Sequence, residues 1–68
     1  MKYLIVIEKT QTGFSAYSPD VDGCIAAGNT MEEVERIMKE ALEFHIGGLK
    51  KEGYDVPISN SYTTYLEI

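Results

Sequence analysis

The first apolar run, "KYLIVIEK", has no polar interruption. Tyr3, Ile5 and Ile7 fall on one side of an extended chain, and Leu4 and Val6 on the other. β-branched and aromatic residues bounded by the polar turn "TQTG" predict a strand over residues 2–9. A strand apolar on both sides is expected in the middle of a sheet that is covered on both faces. "GFSAYS" predicts a second strand, antiparallel to the first through the loop around Gln11–Gly13 and ended by Pro19, which cannot donate to a ladder. "GCIAAG" predicts a short third strand between Gly23 and Gly28.

From Thr30 the period changes. Val34, Ile37, Met38, Ala41, Leu42, His45 and Leu49 recur at three- and four-residue steps, which predicts an amphipathic helix. Thr30 and Glu33 form a capping-box pair at its start. Glu32, Glu33 and Glu35 complement the positive end of the helix dipole, and Lys50 and Lys51 the negative end. Glu32–Arg36, Glu35–Lys39 and Arg36–Glu40 have i,i+4 spacing for ion pairs on the opposite face. Gly47-Gly48 opposes the helix, since each glycine costs about 1 kcal/mol against alanine. Leu49 keeps the stripe in phase and Gly53 suits a C-terminal cap, so the helix is expected to run on to Gly53. Gly48 falls on the apolar side, where a missing side chain would let the helix sit close to the sheet. After the loop "YDVPISNS", the set Tyr62, Thr64, Leu66 and Ile68 alternates with Thr63, Tyr65 and Glu67, and predicts a fourth strand.

The order β-β-β-α-β describes an α+β domain, a mostly antiparallel sheet with one helix on one face. The 68 residues make a single domain over 1–68. One helix covers one sheet face. The other keeps Tyr17 and half of the first strand, and an uncovered apolar face marks an interaction surface. A chain this short buries only about 60% of its unfolded surface. Extra burial is expected from a partner or a second copy, because Cys24 has no mate for a disulfide, and Cys24 with His45 makes a poor metal site. A homo-oligomer is therefore expected.

Charge narrows the partners. Eleven acidic and six basic residues give −5, a surface that repels phosphate backbones and attracts a basic protein. Direct nucleic-acid binding by this chain is not expected. There is no membrane-length apolar run and no signal-peptide pattern, and a lone free cysteine fits a reducing, cytoplasmic setting.

Candidate chemistry is thin. Cys24 sits in an apolar strand with no cation near it in sequence, and reads as packing rather than as a reactive thiol. His45 lies on the helix stripe without a nucleophile or orienting group. Five tyrosines without interleaved basic residues read as sheet and interface residues rather than as a stacking platform. Glu8, Asp20 and Asp22 could in principle bind a divalent metal, as in a nuclease, although "PDVDG" reads first as a turn.

The ordered series "Y-x-I-x-I-E-K", "GFSAYSPDVDGC", "GNTMEEV" and "LKKEG" resembles the HicB antitoxin family, including its short single-domain members. The resemblance covers nearly the whole chain. It implies a partial ribonuclease-H-like fold without the nuclease's acids. It also implies a role: binding a small basic HicA toxin, an mRNA-cleaving protein, and masking its active site. Family members usually carry proline where Asp22 stands. Many also carry a C-terminal DNA-binding module, and none is expected within these 68 residues.

The reading is a non-enzymatic antitoxin-like domain that needs no cofactor. Glu8, Asp20 and Asp22 are expected to meet the toxin's cations, and Tyr17 to act as an aromatic anchor. The alternatives are a metal-dependent nuclease using Glu8, Asp20 and Asp22, or a self-associating scaffold or ligand-binding domain.

Overall fold

A computed structural model describes residues 1–68. Three strands, β1 (Val6–Lys9), β2 (Phe14–Ser18) and β3 (Val21–Gly28), precede one helix, α1 (Met31–Glu52). The sheet is antiparallel in the order β1-β2-β3. The α+β class and the single covering helix are as expected.

Both hairpins follow from local chemistry. Between β1 and β2 the Thr10 N–H donates to the Gly13 carbonyl at 2.8 Å, and the Gly13 N–H donates to Thr10 Oγ1 at 3.0 Å. Any side chain at Gly13 would collide with the Gly28 carbonyl, so only glycine lets the hairpin lie against the end of β3. Between β2 and β3 the register slips after Tyr17, and Gly23 takes the left-handed φ of 76°.

The helix is capped at both ends. Thr30 Oγ1 accepts from the Glu33 N–H at 3.1 Å, half of the expected capping box. The Glu33 carboxylate reaches one residue further back than expected, to the Asn29 N–H at 3.4 Å. At the other end Gly53 adopts φ 78°, its N–H donates to the Lys50 carbonyl, and Tyr54 donates to the Leu49 carbonyl at 2.9 Å. The helix does run through Gly47-Gly48. Of the three expected i,i+4 pairs, only Arg36–Glu40 closes, at 3.2 Å in solvent.

The core lies between the helix and one sheet face. Ala16, Val21, Cys24, Val34 and Met38 are buried, with Ile5, Ile7, Phe14, Leu42 and Ile46 packed around them. The helix lies mainly over β3 and less over β2, and barely approaches β1. The buried Ser18 hydroxyl donates to the Leu4 carbonyl at 2.9 Å, so burial leaves it satisfied.

Three expectations need correction. First, β1 is an edge strand, not a central one, and its ladder covers only Val6–Lys9, leaving residues 2–5 outside it. Second, Gly48 does not bring the helix close to the sheet: a Cβ built at Gly47 or Gly48 meets nothing within 4 Å. Third, residues 62–68 pair with no strand of the chain. A lone strand cannot satisfy its own backbone groups, and the path of the chain carries this one away from its own sheet. Residues 54–61 pass the start of β1, where the Tyr3 hydroxyl donates to the Pro57 carbonyl at 2.6 Å. They then reach the β2–β3 turn, and residues 62–68 leave from there, nearly fully exposed.

Candidate functional site

The candidate site is the sheet face that the helix leaves open. Alternation fixes its membership. Ile7, Ala16 and Ala26 pair across the sheet and face the helix, so the neighbouring row Val6, Tyr17 and Ile25 faces outward. Tyr17 is 42% exposed and Ile25 74%. Glu8, two residues after Val6, lies on the same face opposite Ser15, and is exposed. The site is thus an apolar row, Val6–Tyr17–Ile25, with a carboxylate beside it.

The other two expected acids sit elsewhere. Asp20 and Asp22 border a shallow depression at the β2–β3 end, together with Asp55. Glu8 pairs near the opposite end of β2. No three His, Cys, Asp or Glu side chains converge closely enough to hold a metal ion. The Glu8–Asp20–Asp22 metal site of the nuclease alternative is therefore not assembled.

Asp20 also has other work. Its Oδ2 accepts from the Asn60 and Ser61 N–H groups at 3.2 and 3.1 Å, and its Oδ1 accepts from the Ser61 hydroxyl at 2.7 Å. These bonds, the Ser61 hydroxyl first, hold the carboxyl below its usual range. The turn reading of Asp20 captured its position but missed this clamp. The only hint in the sequence was the pair of small donors in "SNS", forty residues away. Asp22 is exposed beside Gly23.

The remaining candidates are structural. Cys24 is buried, and burial pushes its thiol up, away from the reactive thiolate. His45 is half-buried on the helix stripe. No helix is long and apolar enough to cross a membrane.

Comparison with known proteins gives this geometry a context. Residues 3–67 match the family described as "HicB_like antitoxin of bacterial toxin-antitoxin system". An uncharacterised 14.9 kDa protein of Haemophilus phage HP1 is 41% identical over 66 residues, 97% of this chain and 50% of that protein. A UPF0150 protein of Thermoplasma acidophilum is 34% identical over 62 residues, 90% of each. Among solved structures, a chain of the "HicA3 and HicB3 toxin-antitoxin complex" superposes with a TM-score of 0.67 at 45% identity, covering 81% of this chain and 64% of that one. The "Antitoxin HicB3 crystal structure" gives 0.67 at 46% identity, covering 76% and 38%. The chain spans half the length of the phage relative and less than two thirds of either solved chain. With the family model spanning all but three residues and the fold in agreement, the chain belongs to the HicB-like antitoxins of bacterial toxin–antitoxin systems.

Proposed function

We propose that this chain binds a small, basic HicA-type toxin through its open sheet face and masks the toxin's mRNA-cleaving site, with no catalysis of its own. The observation that carries this reading is the uncovered row Val6–Tyr17–Ile25, with Glu8 beside it, on a chain of net charge −5. Large apolar side chains supply the burial, and acidic groups supply steering and partners for the toxin's lysines and arginines. Similarity to a chain of the HicA3–HicB3 complex supports the choice of partner class. The unassembled carboxylates and the buried Cys24 support a role without chemistry. The negative surface supports a protein partner over direct nucleic-acid contact.

The test is co-expression and co-purification with the product of the neighbouring gene, followed by titration of Tyr17→Ala. We expect a stable complex, and an affinity loss of about 30-fold for Tyr17→Ala, the size of a buried aromatic anchor. A variant that folds and binds undiminished would remove the open face from the interface. Failure of the unsubstituted chain to bind that product would remove the function.

A further inference from the structure

We propose that residues 62–68 are an exchanged strand: each copy of the chain lends them to the free edge of β1 in a second copy, and two chains form a reciprocal pair.

Four observations converge on this. The first is the segment itself. Tyr62, Thr64, Leu66 and Ile68 alternate with Thr63, Tyr65 and Glu67, the period of a strand, yet the segment pairs with nothing in its own chain. Tyr62, Tyr65, Leu66 and Ile68 are all more than 80% exposed. Such a row of unpaired apolar residues and backbone donors is a template for pairing with another chain.

The second is the acceptor. The run Tyr3–Ile7 is apolar on both sides, the character of a central strand, but only Val6 and Ile7 of it lie in β1, which is at the edge of the sheet. One added neighbour would resolve that conflict. Residues 2–5, outside any ladder, extend the open edge.

The third is the space beside that edge. The helix barely reaches β1, and a groove of about 320 Å³ lies between Met1 and Tyr3, which precede β1, and the helix, where Leu42 and Ile46 line it together with Lys39, Glu43 and Lys50. A strand added along β1 and continued beside residues 2–5 would bring alternate side chains toward this groove. Leu66 and Ile68, on the more apolar side of the segment, suit it. Thr63, Tyr65 and Glu67 would then continue the open face next to Val6, so the partner copy adds an aromatic residue to the surface assigned above to the toxin.

The fourth is the route of the chain, which selects a second copy over the chain itself. Asp20 ties Asn60 and Ser61 to the β2–β3 turn, and the residues that follow pair with no strand of their own chain. From that anchor residues 62–68 lead outward. The radius of gyration is 13.2 Å, against about 11 Å for a compact chain of 68 residues. Seven extended residues reach about 23 Å, enough to line the whole of a neighbour's β1. Two-fold exchange makes both copies donor and acceptor, so neither is left with an open β1 edge.

The experiment uses the full chain. Equal amounts of 13C,15N-labelled and unlabelled protein are mixed, unfolded and refolded together, and isotope-filtered NOEs are recorded. We expect contacts between residues 62–68 of one chain and Leu4–Ile7 of the other, in a particle of twice the 7.6 kDa chain mass. The double variant Thr64→Pro, Tyr65→Pro removes a ladder donor from each lent strand, because neighbouring N–H groups point to opposite sides and one of the two faces β1. A tenfold loss per strand weakens the pair about 100-fold, while the helical circular dichroism stays, because the substitutions lie outside the folded body. NOEs confined to one chain would mean that the segment folds back on its own β1, and would overturn the proposal. So would a monomer with a mobile segment that becomes ordered only on addition of a toxin, or a dimer that the double proline variant leaves intact.

Discussion

The two faces of one small sheet differ in an unexpected direction. Toward the helix, β2 and β3 present four small residues, Ala16, Ser18, Cys24 and Ala26, beside the larger Phe14 and Val21. Toward solvent the same strands present Tyr17 and Ile25. A sheet with one solvated face ordinarily alternates apolar inward and polar outward. Here the covered side is lined mostly with small groups, so that Val34 and Met38 of the helix can fill the layer completely. Tyr17, the largest side chain of β2 and β3, and Ile25 are left outside. Burying an isoleucine is worth about 1.5–3 kcal/mol, a gain this chain forgoes at Ile25 when alone. The covered face is finished within the chain, and the open face keeps its large side chains exposed.

The contrast is broken or upheld most directly by truncating one residue on each face. Met38 is 1% exposed, and Met38→Ala should lower unfolding stability by about 2–5 kcal/mol, most of what a domain of this size has. Ile25→Ser, on the open face of the isolated chain, should move it by no more than about 0.5 kcal/mol. Urea midpoints of the two variants at equal m-value measure this. Equal losses would show that Ile25 is already covered without a partner.

Gly48 sharpens the same comparison on the helix. Open space around Gly47 and Gly48 puts both on the outward side, so Gly47→Ala and Gly48→Ala should each stabilise the chain by about 0.5–1 kcal/mol. Thermal unfolding would register both as increases. A loss at Gly48 would mean that the helix presses against a neighbour there.

Much of this was legible in the chain because local chemistry decides it. The helix and its Gly53 cap follow from the stripe, from Leu49 in phase and from glycine's tolerance of positive φ. The open face was legible by counting: one helix, two faces. What stayed hidden depends on distant residues. Pattern shows that the run Tyr3–Ile7 has a central strand's apolar character, but not which chain supplies its second neighbour. Helical phase placed Gly48 on the stripe, but only packing reveals that the stripe's end overhangs the sheet. Glu8 and Tyr17 share the open face, whereas Asp20 and Asp22 belong to the β2–β3 end. A turn aspartate looks the same in sequence whether or not it holds a segment forty residues later.

That clamp gives the smallest effect, at the border between the folded body and the lent strand. Bonds to Ser61 and Asn60 lower the Asp20 carboxyl below its ordinary value of 3.8. A group with a depressed native pKa contributes its stabilisation in full above the unfolded value, and loses it as pH falls through the native value. The Asn60 and Ser61 amide protons should therefore keep hydrogen-bonded chemical shifts at neutral pH and lose them on acidification. They should then move together, with a shared midpoint below 3.8. Asp20→Asn keeps one acceptor oxygen but no charge, so it should abolish that midpoint and leave the Thr30 cap unaffected, because the two sites share no partner. A midpoint at or above 3.8, or amides indifferent to the substitution, would show that residues 60–61 are not held by Asp20. The strand beyond them would then be free to fold back along its own β1, and the route that selects a second copy would lose its anchor.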